Sequence, residues 1–95
     1  MTALAVPIAI GSPANGFDKM DLQKLKLTKA CERCNLSGAN LREAELSGAI
    51  LAYANLIDAE LGGVNLSFAK LSHIDLRGAD LWGANLMGRI SETAT

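Results

Sequence analysis

Residues 39–61 read ANLREAELSGAILAYANLIDAEL, and a leucine stands at every fifth position after the first one. The same spacing extends in both directions and runs through Leu36, Leu41, Leu46, Leu51, Leu56, Leu61, Leu66, Leu71, Leu76, Leu81 and Leu86. A period of five fits neither regular element, because such leucines step by about 140° around a helix and alternate between the two faces of a strand. The chain must therefore turn once in every repeat.

The residues around each leucine fit such a turn. Alanine stands two residues before most of the leucines, and the exceptions are Cys34, Val64 and Ile74. The pair after the leucine is often Ser-Gly, Arg-Gly or Trp-Gly, which suits a corner, and corners of about 90° would close a square coil after four repeats. The leucines and the small residues before them then point inward, and residues twenty apart stack.

The repeats resemble a known family. Its A(D/N)LXX units are matched by Ala39-Asn40-Leu41, Ala54-Asn55-Leu56, Ala79-Asp80-Leu81 and Ala84-Asn85-Leu86, which are similar to the units of pentapeptide-repeat proteins. The resemblance implies an all-β fold, a right-handed quadrilateral β-helix, in which each unit buries its core only against stacked neighbours. Residues 34–88 then form about three coils.

Residues 17–33 are predicted to form a short N-terminal capping α-helix. Asp18 or Asp21 can cap it, and its uneven apolar stripe comprises Phe17, Met20, Leu25, Leu27, Ala30 and Cys31. At the other end, residues 89–95 are a short polar tail. We expect Leu76, Leu81 and Leu86 to stay partly open there. The family resemblance implies a homodimer through the C-terminal end of the coil.

Residues 1–16 form an apolar leader that ends in small residues. Ser12-Pro13-Ala14 resembles the end of a secretory signal peptide, although the charged region that normally begins one is missing. The alternatives are a signal-peptide remnant and a disordered tail. Leu27-Thr28-Lys29-Ala30-Cys31, followed by Cys34-Asn35-Leu36, resembles the leader of small family members from photosynthetic bacteria, several of which are exported. Export implies the periplasm or thylakoid lumen, and its absence the cytoplasm.

Cys31 and Cys34 have the spacing of redox proteins, but no βαβ pattern accompanies them. The spacing also fits a local disulfide that braces the junction of cap and coil, or two reduced thiols packed under the helix. The compartment decides between these two states.

The sequence offers little chemistry for catalysis. The single histidine, His73, is expected on the outer surface, and it lies too far along the chain to complete a zinc site with the two cysteines. The carboxylates are scattered over outward positions, and no glycine-rich phosphate loop precedes a helix. We therefore predict a non-enzyme without catalytic residues, cofactor or metal.

Charge argues against nucleic-acid binding, and the length of the apolar leader argues against a membrane span. The formal net charge is −1, so the chain has no basic footprint for nucleic acid. Residues 18–33 carry five basic and three acidic side chains, whereas residues 34–88 carry three basic and six acidic ones. The apolar leader is too short to span a membrane as a helix.

One outer face combines charge with an aromatic residue. Its repeats, 39–43, 59–63 and 79–83, place Arg42, Glu43, Glu60, Asp80 and Trp82 around Gly62, Gly63 and Gly83. Tryptophan and arginine are frequent interface anchors, so this face is a candidate interaction site. In the alternative interpretation, Trp82 folds back over Gly62 and only shields the backbone.

Two functional hypotheses follow. The first is a protein-interaction or structural scaffold module that binds an unknown protein partner through its flat faces. The second comes from the family resemblance, since some longer members mimic duplex DNA and bind a topoisomerase such as gyrase. The short stack and the small net charge weigh against the second hypothesis.

Overall fold

The computed structural model describes residues 16–89, so nearly all of the predicted leader and tail lie outside the described residues. The described part contains one helix, α1 (Lys19–Thr28), followed by isolated parallel β-bridges. Every bridge joins residues twenty apart, from Ala30↔Ile50 to Asn65↔Asn85. One coil therefore contains four repeats, as the sequence predicts. No helix within residues 16–89 is long and apolar enough to cross a membrane.

Backbone hydrogen bonds connect the repeats to the neighbouring coils, and those of the middle coil are bonded on both sides. The N–H of Leu61 donates to the carbonyl of Asp80 at 2.8 Å, and the N–H of Glu60 donates to the carbonyl of Ala39 at 2.9 Å. These bonds satisfy backbone groups that would otherwise be buried without partners. They also fix the twenty-residue register of the side chains.

The corners are four-residue turns with a left-handed residue at the third position. In one of them the N–H of Val64 donates to the carbonyl of Leu61 at 3.1 Å, and Gly63 has a φ of +69°. This geometry favours glycine, because a Cβ atom is strained at positive φ. Other residues occupy the same position in several repeats, with φ between 58° and 63°: Arg33, Glu43, Tyr53, Asp58, Phe68 and His73.

The asparagine or aspartate before most leucines stabilises the following corner. Oδ1 of Asn55 accepts a hydrogen bond from the N–H of Ile57 at 3.0 Å, and Oδ1 of Asp80 accepts one from the N–H of Trp82 at 3.1 Å. Short polar side chains bond their own backbone two residues on in this way. The same contact occurs at Asn35, Asn40, Asn65, Asp75 and Asn85.

The interior of the coil is built from the predicted residues. The leucines from Leu36 to Leu71 are at most 2% exposed, and both larger residues before a leucine, Val64 and Ile74, are buried. The last leucines differ from the others because no described coil follows them. Leu76, Leu81 and Leu86 are partly exposed, as expected from the sequence.

Helix α1 begins at the predicted cap but presents a different apolar face. Asp18 accepts a hydrogen bond from the N–H of Met20 at 2.8 Å, and Leu25 is completely buried in the core cluster. Met20 and Leu27 are 78% and 75% exposed, so their assignment to the buried stripe is wrong. The reason is angular: Leu22, which packs against the core, lies about 60° from Leu25 around the helix, whereas Leu27 lies about 160° from Leu25.

The coil begins one repeat earlier than the predicted range of 34–88. The bridge Ala30↔Ile50 includes residues before Cys34, and Cys31 is buried at the position that a leucine holds elsewhere. Cys31 and Cys34 form a disulfide, which was one of the predicted states. Asp21 joins α1 to the coil, since its carboxylate accepts a hydrogen bond from the N–H of Asn35 at 2.9 Å.

Leu61→Ala tests the inward assignment. We expect it to lower the free energy of unfolding by about 2–5 kcal/mol, because the substitution leaves a cavity in a packed interior. The matched control is Leu27→Ala, which removes the same atoms from a side chain that is 75% exposed. Urea unfolding measures both variants. Equal losses of stability would contradict the assignment of leucines to the interior.

Candidate functional site

The repeats 39–43, 59–63 and 79–83 stack in register to form one outer face. The N–H of Glu43 donates to the carbonyl of Gly62 at 2.8 Å, and the N–H of Gly63 donates to the carbonyl of Trp82 at 2.9 Å. Residues that are twenty apart in sequence are therefore neighbours here.

An open groove of about 420 Å³ lies on this face. Its lining consists of Arg42, Glu43, Gly62, Gly63, Asp80 and Trp82. Four of the five charged or aromatic residues selected from the sequence thus lie together, and the fifth, Glu60, adjoins the groove by pairing with Arg42 at 3.3 Å. The glycines provide bare backbone between the side chains of the two outer coils.

Trp82 does not shield the backbone of Gly62. Its side chain is 85% exposed, more than any other large apolar side chain in residues 16–89. The atoms nearest to a Cβ built on Gly62 are the carbonyl oxygen of Trp82 at 3.6 Å and Cγ of Arg42 at 4.0 Å, and none of them belongs to the indole. The indole therefore presents its surface to the solvent.

The groove carries an excess of negative charge. Arg42 supplies its single cation, and this guanidinium is already paired with Glu60. Within residues 16–89, the carboxylate of Glu43 makes no hydrogen bond or ion pair, and that of Asp80 accepts only from the backbone N–H of Trp82. Two carboxylates of the groove therefore have no cationic partner in the described part of the chain.

Two carboxylates on the neighbouring faces, those of Glu45 and Asp75, have side-chain partners. Hydrogen bonds from Ser47 and from the amide of Asn65 hold the pKa of Glu45 below its usual value. The hydrogen bonds and charge of Arg77 lower the pKa of Asp75, and the same pair raises the pKa of Arg77. Glu43 and Asp80 differ from these carboxylates because neither has a side-chain donor as a partner.

A second surface feature was not predicted from the sequence. Tyr53 and His73 stack with their ring centroids 4.7 Å apart, and the guanidinium of Arg33 lies 4.6 Å from the Tyr53 centroid. All three occupy the same corner position at intervals of twenty residues, so the register of the coil contained the signal. His73 is exposed, as expected, but it packs against Tyr53.

The described residues do not assemble a metal site. No group of three or more His, Cys, Asp or Glu side chains in residues 16–89 is arranged to hold a metal ion. Both cysteines in this range are joined in the disulfide.

A family model described as pentapeptide repeats matches residues 30–67 and 65–88 in eight copies. The chain belongs to the pentapeptide-repeat family. Membership implies a right-handed quadrilateral β-helix, and the four corners per twenty residues fit this fold. The match begins at Ala30, where the bridges of the structure also begin.

Several solved structures of pentapeptide-repeat proteins are similar to this chain. The protein alr5209 from Nostoc PCC 7120 is 33% identical over 82% of this chain and 78% of its own, with a TM-score of 0.31. Rfr23 from Cyanothece 51142 is 20% identical over 79% of this chain and 95% of its own, also with a TM-score of 0.31. QnrB1, a plasmid-mediated fluoroquinolone resistance protein, is 22% identical over 67% of this chain, with a TM-score of 0.42. This pentapeptide-repeat chain spans only 38% of the QnrB1 chain. No curated protein sequence matches it significantly.

Gly62→Ala and Gly63→Ala should have opposite effects on stability. Gly62 does not have a positive φ, and a Cβ added there makes only ordinary contacts. The alanine should therefore raise the free energy of unfolding by about 0.4–1 kcal/mol, because it reduces the conformational entropy of the unfolded chain. Gly63 has a φ of +69°, and its Cβ would lie 3.1 Å from Cγ of Glu43, so the alanine should cost about 1–2 kcal/mol. Urea unfolding compares them. A loss at Gly62 as large as that at Gly63 would contradict the described corner.

The ion pair between Asp75 and Arg77 should be detectable as a lowered pKa when Asp75 is titrated. Because Arg77 lowers the folded-state pKa of Asp75, the pair adds stability above the unfolded pKa, and this contribution is lost as the pH falls through the folded pKa. Arg77→Gln should raise the pKa of Asp75 toward its usual value, as measured by NMR of the carboxyl carbon. Lys70→Gln removes an exposed cation elsewhere and is the control. An unchanged Asp75 pKa in Arg77→Gln would show that the pair does not persist in solution.

Proposed function

We propose that this pentapeptide-repeat chain is a non-enzymatic protein-interaction or structural scaffold module, and that the groove beside Trp82 is its binding site. The observation that carries this proposal is the 85% exposure of Trp82 next to a groove floored by glycine. Tryptophan contributes strongly to interfaces because it buries a large area with few rotatable bonds. An indole held clear of its own chain is available for such burial.

The fold supports binding because it holds the groove in a fixed shape. The three stacked repeats beneath the groove are joined to one another by backbone hydrogen bonds of 2.8–3.0 Å. A preorganised surface loses less conformational entropy when a partner binds. A rigid coil can therefore present few side chains and still bind selectively.

The composition of the groove favours binding over catalysis. Its lining contains no serine, cysteine, histidine or lysine. Nucleophilic catalysis usually relies on one of these groups beside a base, in a site from which water is excluded. This groove is open to the solvent, which supports the non-enzymatic role.

Two structural details belong to the same proposal. The bridges from Ala30 to Asn85 support three coils, and the burial of Leu25 in the core cluster supports a capping role for α1.

The partial exposure of Leu76, Leu81 and Leu86 supports a homodimer through the C-terminal end of the coil. Sedimentation velocity over a hundredfold range of concentration tests this dimer, and a monomer throughout would refute it.

The second candidate function is a DNA-mimicking binder of a topoisomerase such as gyrase. The excess of acidic over basic residues in 34–88 is the feature that favours it. A supercoiling assay with purified gyrase tests this candidate. Inhibition that depends on the acidic residues would support it, and unaffected supercoiling at saturating protein would exclude it.

Trp82→Ala should weaken partner binding without loss of stability. Because the side chain is 85% exposed, we expect the melting temperature to change by less than about 4 °C, since surface substitutions usually have small effects. The wild-type protein and Trp82→Ala are each immobilised and incubated with a lysate of the native host. Mass spectrometry then compares the amounts of partner protein that the two capture.

Met87→Ala is the matched control for this experiment. Met87 is 71% exposed and occupies the equivalent position of the next repeat, on the adjacent face. Tyr53→Ala is a poorer control, because Tyr53 stacks on His73 and loses packing as well. If Trp82→Ala and Met87→Ala capture the same proteins in the same amounts, the groove is not the binding site.

A further inference from the structure

We infer that the groove binds a basic segment of a partner protein, with a lysine or arginine side chain held between the indole of Trp82 and the carboxylates of Glu43 and Asp80. The inference rests on the proposed function, because it specifies the partner that the same groove accepts.

The charge of the groove selects a cation. Glu43, Glu60 and Asp80 carry three negative charges, whereas Arg42 supplies one positive charge that Glu60 already pairs at 3.3 Å. Glu43 and Asp80 have no cationic partner among the residues that the structure describes. An incoming guanidinium or ammonium group would provide this partner, whereas an acidic segment would meet two unpaired carboxylates.

Glu43, Asp80 and Trp82 all line the same groove. Asp80 and Trp82 belong to one repeat, and Oδ1 of Asp80 holds the backbone N–H of Trp82 at 3.1 Å. Glu43 lies across Gly63 in an adjacent coil, with its Cγ 3.1 Å from the position of a Gly63 Cβ. Glu43 and Trp82 lie in the two coils on either side of Gly63, so a cation seated over the middle coil could contact the indole face by a cation–π interaction and the carboxylates by ion pairs.

The surroundings of Trp82 argue against a purely apolar partner. The other strongly exposed aromatic side chain of the coil, Phe68, covers Gly88 on the adjacent face. The groove lining itself contains one aromatic residue, and its remaining side chains are charged. A partner that offered only apolar groups would leave the carboxylates desolvated without compensation.

Binding of a fluorescein-labelled hexa-arginine peptide to the full chain tests this inference. Fluorescence anisotropy should show saturable binding that weakens about fivefold or more when NaCl rises from about 50 to 500 mM, because exposed ion pairs are screened by salt. Trp82 is the only tryptophan of the chain, so its emission reports the groove directly and should change with the same midpoint. A labelled hexaglutamate peptide should not bind.

Single substitutions separate the groove from general surface charge. Glu43→Gln and Asp80→Asn should each lower the affinity for the arginine peptide about threefold to tenfold. The asparagine at position 80 retains the oxygen that accepts the hydrogen bond from the N–H of Trp82. Asp58→Asn removes an exposed carboxylate from a different face, at a left-handed corner that asparagine tolerates, and should leave the affinity unchanged. Trp82→Phe should retain more affinity than Trp82→Ala, because phenylalanine keeps an aromatic face.

Three outcomes overturn the inference. They are the absence of saturable binding, an unchanged Trp82 emission on binding, and an equal loss of affinity in Asp58→Asn and Glu43→Gln. Any of them would leave the proposed function standing if Trp82→Ala still reduced partner capture relative to Met87→Ala. The two proposals can therefore fail separately.

Discussion

Hydrogen bonds between residues one coil apart are the interactions on which the rest of this structure depends. A single repeat contributes one leucine and one small residue to the interior, which is too little apolar surface to compensate for the entropy of ordering five residues. Bonds such as that from Leu61 to Asp80 stack the repeats and close the interior from water. The leucine core and the backbone hydrogen bonds therefore depend on each other, because both require stacked coils and each helps to keep the coils stacked.

The same register organises the outer surface. Side chains twenty residues apart stand directly above one another, about one strand spacing or 4.8 Å apart. This spacing explains why the amide of Asn65 donates to Glu45 at 2.8 Å and why Arg33 lies over the ring of Tyr53. Interactions that would need a long loop in another fold are here made between consecutive coils. A change at one surface position therefore affects its neighbours in the same column first.

The sequence predicted the coil because its period is incompatible with any straight element. It placed the start of the coil one repeat too late, because Cys31 fills a leucine position and interrupts the pattern. The buried face of α1 was also misassigned, since Met20 and Leu27 were chosen for their apolar character rather than for their angle around the helix. Composition identifies apolar residues, but only geometry decides which of them are covered.

The candidate site was predictable in part, for a physical reason. The period of five and four corners per coil place Arg42, Gly62 and Trp82 in one column, and no further information is needed to bring them together. The direction of the indole was not predictable, because glycine at position 62 leaves room for Trp82 both to fold back and to project. The structure has the projecting arrangement, with the indole 85% exposed.

Gly62 itself is the residue whose presence the fold does not explain. Glycine costs conformational entropy on folding, and the corners accept that cost where φ is positive, as at Gly63. Gly62 has no positive φ, and a Cβ there would meet its neighbours at ordinary contact distances. A larger side chain would thus be compatible with the coil but would fill the groove between Arg42 and Trp82. The open floor at this position is therefore not required by the backbone geometry, and it leaves the space that the proposed binding function needs.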